Sequence, residues 1–356
     1  MMHEKRRCPE CQETSQWTAV QRVIGVEEHA WTRDLRDALL RFGSDVTVSE
    51  LNAQPEHDER LRDVGEGRIA AMDDAGVDLQ ILSISAPGTQ ALRAAEARPL
   101  ARDCNDYLSD ATRRYPGRFA AFATLPTADP AAAAVELERC VERLDMVGAM
   151  LFPHTGTTPL DDVSFEPVFA TAARLQVPLY LHPALPPEPV RDLYYRGFGD
   201  RVAMVLSSAG WGWHVDAGLA ALRLILSGVF DRYPDLQLVL GHWGELLVPF
   251  ADRVDLLSEV NLPLQRRVID YLQQNVYVTA GGIYSHRMLE QAVDVVGPNR
   301  IMFAADHPYT GSNGLFAGVG GARSFVESAP LDPQDRERLA HGNAERLFRL
   351  APRDSP

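Results

Sequence analysis

The chain reads as an α/β fold, a closed (β/α)8 barrel with inserted loops and a helical C-terminal segment, and three observations lead there. Eight short apolar runs alternate with amphipathic helical patterns along 356 residues. That length is long for one ordinary domain but usual for a barrel carrying insertions. Several of the runs stop abruptly at His, Asp or Glu, and the C-terminal ends of parallel strands are where such a barrel builds its site. An open doubly wound sheet shares the local pattern, but eight alternations with polar groups at several strand ends favour closure.

The first strand is Val23–His29. Arg33–Phe42 follows as a helix, then a long polar loop to about Glu59 and a helical pattern over Leu61–Gly76. The second strand, Leu79–Ile84, ends at the turn Ser85-Ala86-Pro87-Gly88, and Ala91–Tyr115 is a long amphipathic helix. Phe119–Thr124 is the third strand, Pro130–Leu144 a helix with proline in its first turn, and Val147–Phe152 the fourth strand. A helix over Pro167–Leu175 leads to the fifth strand, Val177–Leu181, and then to a loop rich in proline and aromatics, Pro183–Phe198. Trp213–Val229 is helical and Leu236–Gly241 is the sixth strand; Leu246–Val260 and Leu264–Gln274 are helical again. Val276–Thr279, the helix Ser285–Val296 and the strand Ile301–Ala304 complete the alternation, with helix from about Gly314 to Leu350. No Gly/Ser/Pro linker divides the chain, so residues 1–20 are expected to be a polar extension, 21–350 one barrel domain and 351–356 a tail.

Composition narrows the function. A 46% hydrophobic, 24% charged chain is globular. Its net charge of −14, from 35 basic and 49 acidic residues, argues against a nucleic-acid surface or an anionic membrane as partner. An anionic substrate would therefore need a local cation rather than a global field. No apolar run reaches membrane-spanning length, and the first residues hold basic groups without the apolar core of a secretory signal, so a cytoplasmic location is expected. Cys8 and Cys11 have the spacing of half a zinc knuckle with no second pair to complete it, and read as two thiols in a tail. Cys104 and Cys140 read as small core residues.

Four strand ends carry the chemistry. In Val26-Glu27-Glu28-His29, alternation turns Glu27 and His29 to one side and Glu28 to the other. The fifth, sixth and eighth strands deliver His182, His242 and Asp306. A lone histidine after an apolar strand is more often a hydrogen-bonded structural residue, but convergence of these ends offers two imidazoles and two carboxylates to one Zn²⁺ or Mn²⁺. His242 stands in Leu240-Gly241-His242-Trp243-Gly244-Glu245, three residues before a carboxylate. In a helical first turn the two share a face, so Glu245 would fix the imidazole tautomer and suit His242 to proton traffic rather than metal ligation. A plain helix-capping role for Glu245 is compatible with this.

The segments Val-Glu-Glu-His, Pro178-Leu-Tyr-Leu-His182-Pro, Leu-Gly-His242-x-Gly-Glu245 and Phe303-Ala-Ala-Asp306-x-Pro308 resemble the amidohydrolase superfamily. The branch they resemble is the metal-dependent hydroxybenzoate decarboxylases, relatives of aminocarboxymuconate semialdehyde decarboxylase, and the resemblance runs from about residue 23 to 350. It implies that Glu27, His29, His182 and Asp306 bind one divalent metal, that Asp306 protonates the ring carbon bearing the carboxylate, and that His242 and Glu245 form an active-site dyad. It also implies that Arg253 holds the substrate carboxylate, with a second arginine among Arg60, Arg62 and Arg68. The implied substrate is a small ortho-hydroxylated aromatic acid and the implied assembly a homodimer or homotetramer. His307 after Asp306 and the loop after His182 depart from the family pattern where the pocket is shaped; His154, Trp211, Trp213, His214, Tyr194 and Tyr195 are candidates to line it. The same ligand set would serve hydrolysis of a lactone or amide, through a metal-activated water deprotonated by Asp306. A barrel that only binds would have no need of all five groups.

Overall fold

A computed structural model of the chain describes residues 19–43, 47–309 and 321–351. The sequence's alternation closes into a barrel. In chain order the strands are β1 (Ile24–Ala30), β2 (Leu79–Ile84), β3 (Phe119–Ala121), β4 (Ala123–Thr124), β5 (Ala149–Leu151), the small hairpin β6 (His154–Thr155) and β7 (Thr158–Pro159), then β8 (Leu179–Leu181), β9 (Leu238–Leu240), β10 (Val276–Thr279) and β11 (Ile301–Met302). β1-β2-β3 form one parallel sheet and β11-β10-β9-β8-β5-β4 another. β3 and β4 are one strand interrupted at Phe122, whose amide still donates to the Leu82 carbonyl at 2.9 Å. The opposite seam is closed by Val26 N to Phe303 O at 3.1 Å, Asp306 N to Glu27 O at 2.9 Å and His29 N to His307 O at 2.7 Å.

Because both faces of these strands are buried, each strand reads as a near-continuous apolar run, yet the two sets separate by alternation. Tyr180, Val239, Tyr277 and Met302 pack with Ile24, Ile81 and Phe122 inside the barrel. Their neighbours Leu179, Leu181, Leu238, Leu240, Val276, Val278 and Ile301 pack outward in the core beneath the helices. β1 breaks the rule by design: its register slips between Gly25 and Glu28. The extra residue lets Ile24 and Glu27, an odd number apart, both face the interior. Gly25 has no side chain because the Glu28 carboxylate occupies that space, 2.2 Å from where a Cβ would sit.

Among the described residues no helix is long and apolar enough to cross a membrane. The stretch expected as a polar loop up to Glu59 instead carries helices at Thr47–Asn52 and Pro55–Arg62, and the pattern Leu61–Gly76 is broken before a helix at Glu66–Ala75. Short helices at Glu188–Tyr194 and Asp200–Ser207 lie in and after the proline-rich loop. The largest departure follows β9. Where a helix was expected from Leu246, His242, Trp243, Glu245 and Leu246 all have left-handed φ values of 46°, 61°, 51° and 67°. Helical geometry begins only at Ala251–Val254. After residue 320 the helices are Ala322–Glu327, Pro333–Glu337 and Asn343–Phe348. Cys8, Cys11, most of the 1–20 extension and the start of the Gly314–Leu350 segment lie outside the described residues; Cys104 and Cys140 are buried free thiols.

Candidate metal centre and its imidazole neighbours

The C-terminal ends of β1, β8 and β11 bring Glu27, His29, His182 and Asp306 together, with one candidate ligand atom from each within 4.8 Å of all the others. Glu27 Oε1 lies 3.1 Å from His182 Nε2 and 3.9 Å from His29 Nε2. His29 Nε2 lies 3.1 Å from Asp306 Oδ1. The remaining atoms of Glu27, His29 and His182 are already committed. Glu27 Oε2 accepts from the Tyr180 hydroxyl and, at 3.3 Å, from Thr279 Oγ1. His29 Nδ1 meets Ser83 Oγ at 3.3 Å, and His182 Nδ1 donates to the Pro183 carbonyl at 2.7 Å. The Pro183 contact turns the His182 Nε2 lone pair inward, the tautomer a metal ligand needs, and the Ser83 contact leaves His29 Nε2 facing the same point. Asp306 sits at a left-handed φ of 56° in the bend after β11, which brings its carboxylate back over the β1 end.

The electrostatics suit a cation. Glu27 Oε1 and His29 Nε2 are buried with no hydrogen-bond partner. Unmet polar atoms of this kind are costly unless a ligand completes them. Burial pushes the His29 imidazole down to about 4, so it is neutral near pH 7. Burial likewise lowers His182. Burial raises the Glu27 carboxyl, but His242, His182 and His29 outweigh it and hold the group well below the usual carboxylate range. Burial and the Glu27 charge push Asp306 up to about 8. A bound cation would oppose that shift, because its charge favours the carboxylate.

His242 stands beside this centre rather than in it. Its Nε2 is 3.5 Å from Glu27 Oε1, and its Nδ1 donates to Glu245 Oε1 at 2.6 Å. The expected pairing of His242 with Glu245 is present, but a left-handed turn and not a helical first turn produces it. Burial lowers the His242 imidazole, but Glu27 and Glu245 outweigh it and push it up to about 10. Glu245, fully buried, receives a second donor: His214 Nδ1 at 2.8 Å from Oε2. His214, His242 and Glu245 also place three ligand-type atoms within 4.8 Å of one another. In this second group both Glu245 oxygens, both His214 nitrogens and His242 Nδ1 already have hydrogen-bond partners, whereas the Glu27 cluster leaves buried atoms unmet, so the metal-fitting site is the Glu27 cluster.

Other residues fall into place around it. Glu28, on the far face of β1, accepts from Ala305 N at 2.8 Å, Gln80 Nε2 at 2.9 Å and His307 N at 3.2 Å, tying β1 to the end of β11. Arg68 is buried beside it and donates to the His29 carbonyl, while Arg62 is spent on Asp58 at 2.8 Å and Arg60 is exposed. None of the three faces the unmet atoms of the centre through a described contact. Arg253 is exposed on Ala251–Val254. Its guanidinium makes no contact with the centre among the described residues, and the helix that carries it starts at Ala251 rather than at Leu246 as expected. Trp213 packs against the His182 ring at 6.3 Å, whereas Trp211 and Tyr194 are exposed. A cavity of about 390 Å³ is lined by Gln90, Phe152, His154, Ala184, Leu185 and Arg191, and is joined to the centre through Phe152, which packs edge-on to His182 at 5.9 Å. Sequence reading missed Tyr180, Thr279 and Ser83 behind the ligands. Inward alternation from the ligand positions was the available signal for Tyr180, two residues before His182, but a core tyrosine looks the same.

The family model described as Amidohydrolase matches residues 29–350. Among curated proteins, a gamma-resorcylate decarboxylase of Polaromonas sp. is 35% identical over 339 residues, covering 92% of this chain and 98% of that one. Among solved structures, 5-carboxyvanillate decarboxylase from Sphingomonas paucimobilis superposes with a TM-score of 0.84 at 33% identity, covering 93% of this chain and 99% of that one. The Novosphingobium aromaticivorans 5-carboxyvanillate decarboxylase, complexed with manganese and 4-hydroxy-3-methoxy-5-nitrobenzoic acid, gives a TM-score of 0.83 at 32% identity, covering 92% of this chain and 96% of that one.

Proposed function

The chain belongs to the amidohydrolase family, and from that premise we infer that it is a metal-dependent, non-oxidative decarboxylase of a hydroxylated aromatic carboxylic acid. One observation carries the reading: relatives matched over more than nine-tenths of the chain are hydroxybenzoate decarboxylases, and this chain keeps a buried Glu27, His29, His182 and Asp306 cluster with unmet atoms. The nitro analogue bound to the Novosphingobium relative suggests the substrate's shape. Its planar nitro group stands in for a carboxylate, and it lies next to a ring hydroxyl. We propose the same ortho relation for the acid used here.

Glu27, His29, His182 and Asp306 would hold a divalent cation, Mn²⁺ or Zn²⁺. When bound, it supplies positive charge for a phenolate and a carboxylate oxygen. The residues of the chain do the rest. Asp306, whose carboxylate stands beside His29 at the edge of the centre, would carry a proton on a carboxyl oxygen and pass it to the ring carbon that bears the substrate carboxylate. That carbon becomes tetrahedral, and breaking its bond to the carboxylate releases CO₂ and restores the aromatic ring. His242, charged near pH 7 and held by Glu245, would stabilise the negative charge that develops. The cavity bounded by Phe152 and Leu185, mostly apolar in its lining, would seat the ring.

Assembly is part of the proposal. Leu193, Tyr194, Phe198, Leu219, Phe250 and Leu256 are all more than half exposed, an amount of bare apolar surface that suits a contact between copies. Arg253 lies between Phe250 and Leu256 in sequence. The chain is proposed to pair as a homodimer or homotetramer, with Arg253 as an anchor of the substrate carboxylate; among the described residues Arg191 lines the cavity of the same chain. Incubating the manganese-loaded protein with a panel of ortho-hydroxybenzoates carrying a ¹³C-labelled carboxylate, alongside lactones and amides, tests the reading. Labelled CO₂ from at least one acid is expected; ring opening or amide cleavage without CO₂ release would replace decarboxylation with hydrolysis.

A further inference from the structure

We propose that His214 is a positioning residue for the reaction: by holding the second oxygen of Glu245, it fixes the carboxylate that aims the His242 imidazole at the site. The inference rests on the reading above only in taking His242 as a participant.

The contacts form one chain. His242 Nδ1 donates to Glu245 Oε1 at 2.6 Å, and His214 Nδ1 donates to Oε2 of the same carboxylate at 2.8 Å. The far nitrogen of His214 is committed too, 3.0 Å from the Ala209 carbonyl, so the ring cannot swing without losing a bond at each end. The two imidazoles pack edge to face with centroids 4.9 Å apart, and each is bonded to one oxygen of Glu245. Glu245 itself has no exposed surface, so an oxygen that lost its donor would have no water to replace it.

The reason such a brace is needed lies in the backbone. The turn from His242 to Leu246 is left-handed at four residues that carry side chains, a conformation that persists only where its surroundings impose it. The helix Gly212–Leu226 imposes it at two points one helical turn apart. His214 grips the carboxylate of Glu245, and four residues on, Gly218 abuts its backbone: a Cβ there would sit 2.1 Å from the Glu245 carbonyl oxygen. The helix that holds His214 is thus docked directly on the residue that orients His242. Sequence alone hides this, because His214 and Glu245 are 31 positions apart.

Two substitutions separate a positioning role from a structural one. His214→Leu removes the donor; His214→Asn keeps an N–H close to where Nδ1 stands. In the zinc-loaded protein, His214→Leu is expected to lower kcat roughly 10–100-fold, the range seen when outer partners of a site are removed, with KM and metal content unchanged. The low-field proton resonance of the short His242–Glu245 hydrogen bond should shift or vanish with it, and His214→Asn should restore both kcat and resonance. If His214→Leu does not fold, Gly218→Ala, which pushes the helix off Glu245 while keeping His214, should produce the same kcat loss and resonance change. A His214→Leu or Gly218→Ala protein with unchanged resonance and kcat overturns the proposal, as does a kcat loss that His214→Asn fails to reverse. The resonance decides the matter even if the substrate panel shows no decarboxylation, so failure of the catalytic reading and failure of this inference are told apart.

Discussion

Two clusters of histidine and carboxylate stand side by side at the C-terminal end of the barrel, and they differ in what they lack. Glu27, His29, His182 and Asp306 bring their ligand atoms together but leave Glu27 Oε1 and His29 Nε2 buried and unmet. His214, Glu245 and His242 are as close to one another, yet both Glu245 oxygens, both His214 nitrogens and His242 Nδ1 already have hydrogen-bond partners. Residue types and spacing would allow a metal in either. The unmet atoms assign it to the first, since burying polar groups without partners is costly unless a ligand completes them. The second has both carboxylate oxygens met, which suits a group that holds charge and hands it on.

The comparison is easiest to break by removing a ligand. His182→Ala is expected to abolish nearly all activity and most bound metal while leaving the barrel folded, because His182 projects from a strand end and not from the packed interior. Elemental analysis of the purified variant reads this directly, and full metal occupancy would remove His182 from the ligand set. His242→Asn tests the other cluster. It should keep its metal and lose roughly 10²–10⁴-fold in kcat, the scale of a positioned acid or base. Loss of metal together with the imidazole would make His242 a ligand and erase the distinction between the clusters. The smallest effect is expected at Arg253. If Arg253 reads the carboxylate, Arg253→Leu should weaken binding of the acid by about 1.5–3 kcal/mol, the scale of a hydrogen bond to a charged group, with metal content unchanged. An uncharged product analogue should bind as before, and light scattering should show an assembly larger than a monomer. Equal loss for both ligands would place Arg253 in the fold or the interface instead.

The two clusters were not equally legible in the sequence. The ligands of the first stand at ends of apolar strands, and strand alternation fixes the side to which each side chain turns, so a local pattern reports a global position. The β1 bulge, between Gly25 and Glu28, could have spoiled that reading, but Glu27 and His29 still turn into the same cluster. The second cluster is built by a turn and a helix docking. Its helical prediction from Leu246 failed because left-handed backbone at Glu245 and Leu246 is imposed by tertiary contacts and has no signature in side chains that would sit well in a helix. The His242–Glu245 contact survives because either geometry brings residues three apart within reach. His214 had no local signal, and Arg253 was placed by resemblance, which carries no information about which subunit's pocket an exposed side chain serves. The helices at Thr47–Asn52 and Pro55–Arg62 were read as loop because their polar residues leave only Leu61 and a few others to mark a buried face.

The central claim, that one cluster is a metal site and its neighbour is not, is tested most directly by anomalous diffraction at the manganese edge from crystals grown with Mn²⁺. A single peak among Glu27 Oε1, His29 Nε2, His182 Nε2 and Asp306 is the expected result. A peak between His214, His242 and Glu245, or no peak among the four ligand atoms at full manganese loading, would contradict it.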